Sequence, residues 1–294
     1  MNWIKRIARL ALVNISVVLT ISIILFLLQK FFGINIWTRS SSILLMASIL
    51  WFGGAFISLF MSKVSAKSAY DMQMITETNL EEQDPKLQFC YQIIKKIASE
   101  NWFDSMPEVG YYNSSEPNAF ATWSSKNNSM VAISSWLLTL MKEDEIKWVL
   151  GHEMSHIINW DMVTMTLLNW VMNTFVFWLS RVISMSIKWD NEKEANTNPF
   201  IVIILERVFW FFGMIVCNRF SRIREYRADE WSVKVQWSND YMIQSLQKLQ
   251  LYESHYEVSN TNDSNMKIIS WKSFANLFST HPTLSDRIAA LKQQ

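Results

Sequence analysis

The chain has 294 residues, half of them hydrophobic, and a formal net charge of +1. That length allows one large domain or two smaller ones, and the near-neutral charge, with no basic run, excludes a surface built to track nucleic-acid phosphates. Cys90 and Cys217 are the only cysteines; two isolated thiols make neither a disulfide framework nor a CxxC metal knuckle and read as small buried hydrophobes.

Taken in order, the apolar residues come in long blocks. Ala8 to Leu28 carries one charge, Arg9, and its length suits a helix crossing a hydrocarbon layer of about 30 Å. Lys5, Arg6 and Arg9 look like the basic start of a signal peptide. The stretch is too long for one, however, and a second uncharged block follows at Ser42 to Met61, so both are predicted to be membrane anchors. Residues 62–84 are polar and read as a linker leaving the membrane. Leu87, Cys90, Ile93, Ile94, Ile97 and Ala98 recur at helical spacing behind Pro85, which predicts an amphipathic helix over 85–100. Val109 to Tyr112, Phe120 to Trp123 and Met130 to Ser134 are β-prone. Turn-rich runs separate them at Asn113–Asn118 and Ser124–Ser129, so a small sheet is predicted. Glu143 to Asn159 reads as a helix with acids in its first turn, as the helix dipole favours.

A third apolar block covers about 162–187, broken only by Arg181, and a fourth covers about 199–217 and contains Glu206 and Arg207. Length favours two further spans. A neighbouring Glu and Arg inside a span are costly unless they face protein or water, which leaves a pair of long helices packed on a soluble body as the alternative. The last stretch, about 221–294, reads as mostly helical, with a flexible loop at Ser259–Asn265. Basic residues cluster at Lys5, Arg6 and Arg9 and again at Lys63 and Lys67, against Lys30 and Arg39 in the loop between the first two blocks, a modest bias, while 188–198 is net acidic. That bias puts the N-terminus and residues 62–160 in the cytoplasm, where two reduced cysteines also fit.

His152-Glu153-Met154-Ser155-His156 fits the HExxH pattern. Positions i and i+4 share a helix face, so both imidazoles can reach one ion. Zinc accepts neutral histidine nitrogen, and a catalytic site keeps one position for water. Glu153 is the expected general base for that water. Val149, Leu150, Ile157 and Ile158 flank the motif, so the helix is buried and its histidines need partners. A third ligand is expected. His255 and His281 lie far downstream, and Glu225 and Asp229, four apart on one face, are the better pair. One of them can bind the metal while the other orients a ligand histidine; an ordinary surface pair among arginines is the plainer alternative. Glu192, Glu194 and Glu206 are rivals by residue type.

The chain resembles the HtpX family of membrane-embedded zinc endopeptidases, relatives of the CAAX-processing membrane proteases. The resemblance rests on the two N-terminal blocks, Pro117-Asn118-Ala119-Phe120-Ala121-Thr122, the HExxH helix followed by Asp161-Met162-Val163-Thr164, Glu225-Tyr226-Arg227-Ala228-Asp229, and Thr280-His281-Pro282 with Arg287. It covers essentially the whole chain. The fold it implies is α+β and mainly helical, an integral membrane protein carrying a gluzincin-like metallopeptidase domain with a small β-sheet. Residues 1–61 would form two transmembrane helices, 62–161 a cytoplasmic catalytic part, 162–217 two further hydrophobic helices, and 218–294 a helical part completing the zinc site.

The resemblance also implies one Zn2+ held by His152, His156 and Glu225, with Glu153 as base and Asp229 in support. It implies a multi-pass protein of the cell (inner or plasma) membrane whose active site faces the cytoplasm. The function implied is quality control, in which misfolded or damaged membrane proteins are cut. Partners would be unfolded or membrane protein substrates and the lipid bilayer, with no nucleic acid. Asn118, Ala119 and Phe120 would lie beside the cleft, where an extended substrate adds as a strand. His281 and Arg287 are candidates for substrate or oxyanion contacts, or for capping the last helix.

Two other classes are weaker. A membrane scaffold or receptor with a structural or inactive zinc site needs a closed set of four ligands, and no fourth is evident. A transporter would have to build its pathway from Glu206 and Arg207 alone.

The chain has 15 Trp and 6 Gly, where average usage predicts about 20 glycines. Trp102, Trp123, Trp136, Trp160, Trp170 and Trp231 stand where the resembled family usually has glycine. Trp offers neither the positive φ nor the close backbone approach that glycine allows. One hypothesis is a stop-type codon that the cell reads as glycine; a Trp-rich lineage is the other.

Overall fold

The computed structural model describes residues 59–187, 199–236, 240–260 and 281–293, with residue 30 and a few positions between 51 and 57. The first predicted anchor, most of the second, and the 188–198 loop with Glu192 and Glu194 lie outside these residues, as does the side chain of His255. The chain divides into two units, one of Met1–Ile57 with Thr164–Cys217 and one of Ser58–Val163 with Asn218–Gln294.

The second unit is built on a four-stranded sheet. Helix α1 (59–69) leads into β1 (Gln73–Ile75), a 3-10 turn (Glu77–Glu82) and α2 (Pro85–Glu100). Strands β2 (Glu108–Tyr112), β3 (Ala119–Ser125) and β4 (Asn128–Ser134) follow, then α3 (Ser135–Leu140) and α4 (Glu143–Ile158). The strand order is β1-β2-β4-β3. β2 runs parallel to β4, with Val109 opposite Val131, and β3 runs antiparallel to it, with Ala121 opposite Val131. β3 is therefore an edge.

One face of the sheet sends Val109, Val131 and Ile133 into a core with Cys90 and Ile94 of α2 and Ile146, Leu150, Met154 and Ile157 of α4. Burial pushes the Cys90 thiol up to about 12. The other face is covered by α1 and the turn after it. Lys63 and Lys67 pair with Glu108 at 3.1 and 2.6 Å, and the Tyr70 ring packs on Tyr112 and Phe120. A Cβ at Gly110 would meet the Met72 sulfur at 3.1 Å, so glycine lets that turn lie close.

Residues 62–84 are thus not a linker. The helix continues past the point where hydropathy falls, because the amphipathic face of residues 59–69 finds the sheet to pack on. β1 escapes detection because three residues carry no readable alternation. The helix over 85–100 has the predicted bounds. Its N-cap, Asp84, accepts from the Lys86 N–H at 2.8 Å, with Pro85 in the first turn.

Helix α4 is tied down at its start. The Lys142 N–H donates to Glu145 at 2.7 Å, and the buried Glu145 is matched by Lys248 at 2.6 Å. Lys248 lies on α7 (Asp240–Asn260), where Met242 and Leu246 pack with Ile288 and Leu291 of α8 (Leu284–Leu291).

In the first unit, α5 (Asp161–Ser186) and the apolar half of α6 (Pro199–Gln236) are long and apolar enough to cross a membrane. Only 17% of either apolar window is buried, and Phe200, Ile203, Phe212 and Val216 point outward. A helix packed into a soluble core seldom presents that surface, so the exposed faces favour the reading as spans over a pair of helices buried on a soluble body. The charges that break the two blocks answer one another: Arg181 pairs with Glu206 at 2.6 Å, donates to the Phe177 carbonyl at 2.9 Å and lies over the Phe177 ring. Glu206 is accounted for by this pair.

Candidate metal centre

Helix α4 sets His152 and His156 one turn apart on one buried face. Their Nε2 atoms are 3.2 Å from each other. The far half of α6 brings in Glu225, with Oε2 at 3.3 Å from His152 Nε2 and Oε1 at 3.6 Å from His156 Nε2. Asp229, one turn further along the same helix, reaches the back of His152, Oδ1 to Nδ1, at 2.8 Å. Asp161 opens α5 after a tight turn and does the same for His156, Oδ2 to Nδ1, at 2.7 Å. Each aspartate is gripped by an arginine. Arg287 reaches Asp229 through Nε at 2.8 Å and Nη2 at 2.5 Å, and Arg227 pairs with Asp161.

The electrostatics follow from this pattern. A buried carboxylate at each Nδ1 fixes one proton there, so the neutral form of each imidazole, the form that binds a metal, turns its Nε2 lone pair toward one common point. Burial and the Arg287 charge push His152 down, but Asp229 and Glu225 outweigh them and hold it up at about 9. Burial on its own would raise the Glu225 carboxyl, yet His152, His281 and His156 hold it far below the usual carboxylate range. Asp229 is likewise lowered, against burial, by His152 and Arg287.

Such a cluster attracts positive charge. Glu225 Oε1 is buried without a hydrogen bond, although Arg224 comes within 3.1 Å off the bonding line. Two lone pairs and an orphaned carboxylate oxygen facing one another are costly until a cation sits among them. Ligands about 2.0–2.2 Å from a tetrahedral ion lie roughly 3.3–3.5 Å apart, and the three separations here are 3.2, 3.3 and 3.6 Å. The donors therefore fit zinc. Among the described residues no fourth acid, histidine or cysteine joins this group.

Glu153 follows His152 on α4, and its Oε2 accepts the Ala121 N–H at 3.0 Å. That N–H points away from β4, off the free edge of β3. Asn118, Ala119, His152, Glu153, Glu225, His281 and Arg287 line a single cleft together with Pro117. His281 Nδ1 stands 3.4 Å from Glu225 Oε2. The Phe120 side chain is not brought to the cleft. It lies on the opposite face of the sheet against Tyr70 and Tyr112, because side chains alternate along a strand. Arg287, mostly buried, reaches Asp229 with its guanidinium and stands 3.3 Å from His152 Nδ1.

Sequence reasoning gave no role to Asp161 or Arg227. Asp161 lies five residues past His156 and beyond the helix end, so no periodicity links the two. The only signal was a buried histidine in need of an Nδ1 acceptor.

Comparison with known proteins agrees in kind. A profile described as peptidase family M48 matches residues 83–294. The chain is 38% identical to Protease HtpX of Tolumonas auensis, covering 98% of this chain and 99% of that protein. It is 37% identical to Protease HtpX homolog of Bacillus licheniformis at the same coverage. Among solved structures, Ste24p of S. mikatae matches with a TM-score of 0.61 at 19% identity, over 97% of this chain and 67% of that one, a likeness of fold.

Proposed function

The chain belongs to peptidase family M48, and from that premise we propose that it is a multi-pass, zinc-dependent endopeptidase of the cell membrane. Its cleft faces the cytoplasm, and its substrates are misfolded or damaged membrane proteins. The observation that carries the metal-dependent part is the convergence of His152 Nε2, His156 Nε2 and Glu225 within 3.6 Å of one another, with each Nδ1 occupied by an aspartate.

His152, His156 and Glu225 would hold the ion. Zinc, when bound, supplies Lewis acidity that lets water attack a peptide carbonyl at neutral pH. Asp229 and Asp161 would hold both imidazoles in the tautomer and orientation that binding needs. Glu153 takes the proton of the attacking water and returns it to the leaving amine. The Ala121 N–H keeps that carboxylate at the mouth of the cleft, beside the free edge of β3.

An extended segment adding to that edge would lie across Glu153. Only chain that has lost its own structure offers such a segment, which favours unfolded substrates over native ones. Glu225 rides on the helix whose first half is apolar enough to span a membrane. That tether favours substrates in or beside the bilayer. Lys63 and Lys67 at the start of the folded body favour the cytoplasmic side.

The test uses the full chain purified in lipid nanodiscs, with an unfolded membrane protein as substrate. Internal cleavage should stop on chelation, return with zinc, and be absent in Glu153→Gln while zinc stays bound. Cleavage indifferent to chelation or to Glu153→Gln removes the reading.

A further inference from the structure

The backbone itself objects to two residues in this sequence. Among the described residues other than glycine, three have positive φ: Asp71 at 45°, Trp102 at 56° and Trp160 at 60°. Aspartate tolerates the left-handed region; a bulky side chain there is an outlier, because its Cβ crowds the following carbonyl.

Both tryptophans occupy the same kind of place. Helix α2 ends with Asn101 as its C-cap, so Trp102 is the next residue out, and the Phe103 N–H closes back onto the Ala98 carbonyl at 3.2 Å. Helix α4 ends with Asn159 as C-cap, so Trp160 follows it, and its N–H returns to the Ile157 carbonyl at 3.2 Å. These are the returning bonds of the Schellman motif, whose left-handed residue is ordinarily glycine.

The indole has no compensating home at the first position, where Trp102 is 89% exposed. Two tryptophans packed in the interior leave a polar atom unmet. Trp123 sits at an irregularity between β3 and β4, a place that favours glycine, and its buried indole N–H has no partner; the buried N–H of Trp178 has none either. The chain as a whole has 15 Trp against 6 Gly, a ratio that inverts ordinary usage.

We infer that residues 102 and 160 are glycine in the living protein, inserted at a codon that is a stop in the standard code and that a different variant reading renders as tryptophan. The inference requires a glycyl-tRNA in the host whose anticodon reads that codon. Every position sharing the codon then carries glycine as well, while any tryptophan written with the ordinary codon stays tryptophan. The consequence for the site is local. Residue 160 is the turn between His156 and Asp161, and a glycine there lets the chain reverse without strain, so that the Asp161 carboxylate meets His156 Nδ1.

The test is peptide mass spectrometry of the chain isolated from its native host, on fragments spanning 97–103 and 157–163, beside the codons of the gene. Glycine at both positions and one shared stop-type codon are expected. Tryptophan found at either position, or the ordinary tryptophan codon at either, overturns the inference. The outcome is independent of peptidase activity, so it stands or falls apart from the proposed function.

Discussion

Arg287 holds Asp229 with two parallel hydrogen bonds, at 2.8 and 2.5 Å, while the same carboxylate holds the Nδ1 of His152. The fork of a guanidinium fixes both oxygens of a carboxylate, which a lysine cannot do. Arg287→Lys is therefore expected to free Asp229 to turn and to lower zinc affinity about 10–100-fold. Competition against a chelator of known affinity reads this directly, and an unchanged affinity would mean that Arg287 serves only the substrate side.

Asp161 does for His156 what Asp229 does for His152. Asp161→Asn can still accept a hydrogen bond but loses the charge that makes the imidazole a stronger donor to metal. Zinc affinity is expected to fall about 10–100-fold, with the helical circular dichroism unchanged. Arg227→Gln, one step further out and on a half-exposed side chain, should weaken binding less than Asp161→Asn does. A larger loss in Arg227→Gln would reverse the order of dependence drawn here.

Glu225→Ala takes away the carboxylate facing both Nε2 atoms. Metal analysis of the purified variant should find zinc lost or far weaker, and cleavage gone with it. Full zinc occupancy in this variant would sink the assignment of Glu225 as a ligand.

Arg181 and Glu206 face each other inside the apolar helices. Arg181→Leu leaves the Glu206 carboxylate without this partner in an apolar helix, with an expected cost on the order of 2 kcal/mol if that helix lies in a bilayer. The double change, Arg181→Leu with Glu206→Leu, removes both charges and should recover most of that loss. Thermal unfolding of the three forms in one detergent compares them, and equal midpoints for the single and double variants would show that the pair is not coupled.

Trp102→Gly relieves a left-handed residue at the end of α2. A gain of roughly 1–2 kcal/mol is expected, with Trp102→Ala gaining clearly less because Ala keeps the Cβ. Denaturant unfolding of recombinant protein distinguishes backbone relief from mere loss of an exposed ring.

Local rules made several features legible in the sequence alone. A proline at the first turn and an apolar stripe define the helix over 85–100, since both signals lie within that helix. The HExxH spacing puts two imidazoles on one face because 3.6 residues make a turn, and the two apolar blocks at 162–187 and 199–217 mark long apolar helices through length alone. What only the tertiary structure decided are relations between segments distant in sequence. Glu225 and Asp229 share a face and are equivalent by spacing; the approach of α6 to α4 turns Glu225 toward the Nε2 atoms and Asp229 toward an Nδ1. The same holds for Asp161 beneath His156, for Arg287 withdrawn to Asp229, for Phe120 on the far side of the sheet, and for Arg181 meeting Glu206. Each depends on where two elements cross, and crossing is set by the packing of whole faces, which no short window of residues records.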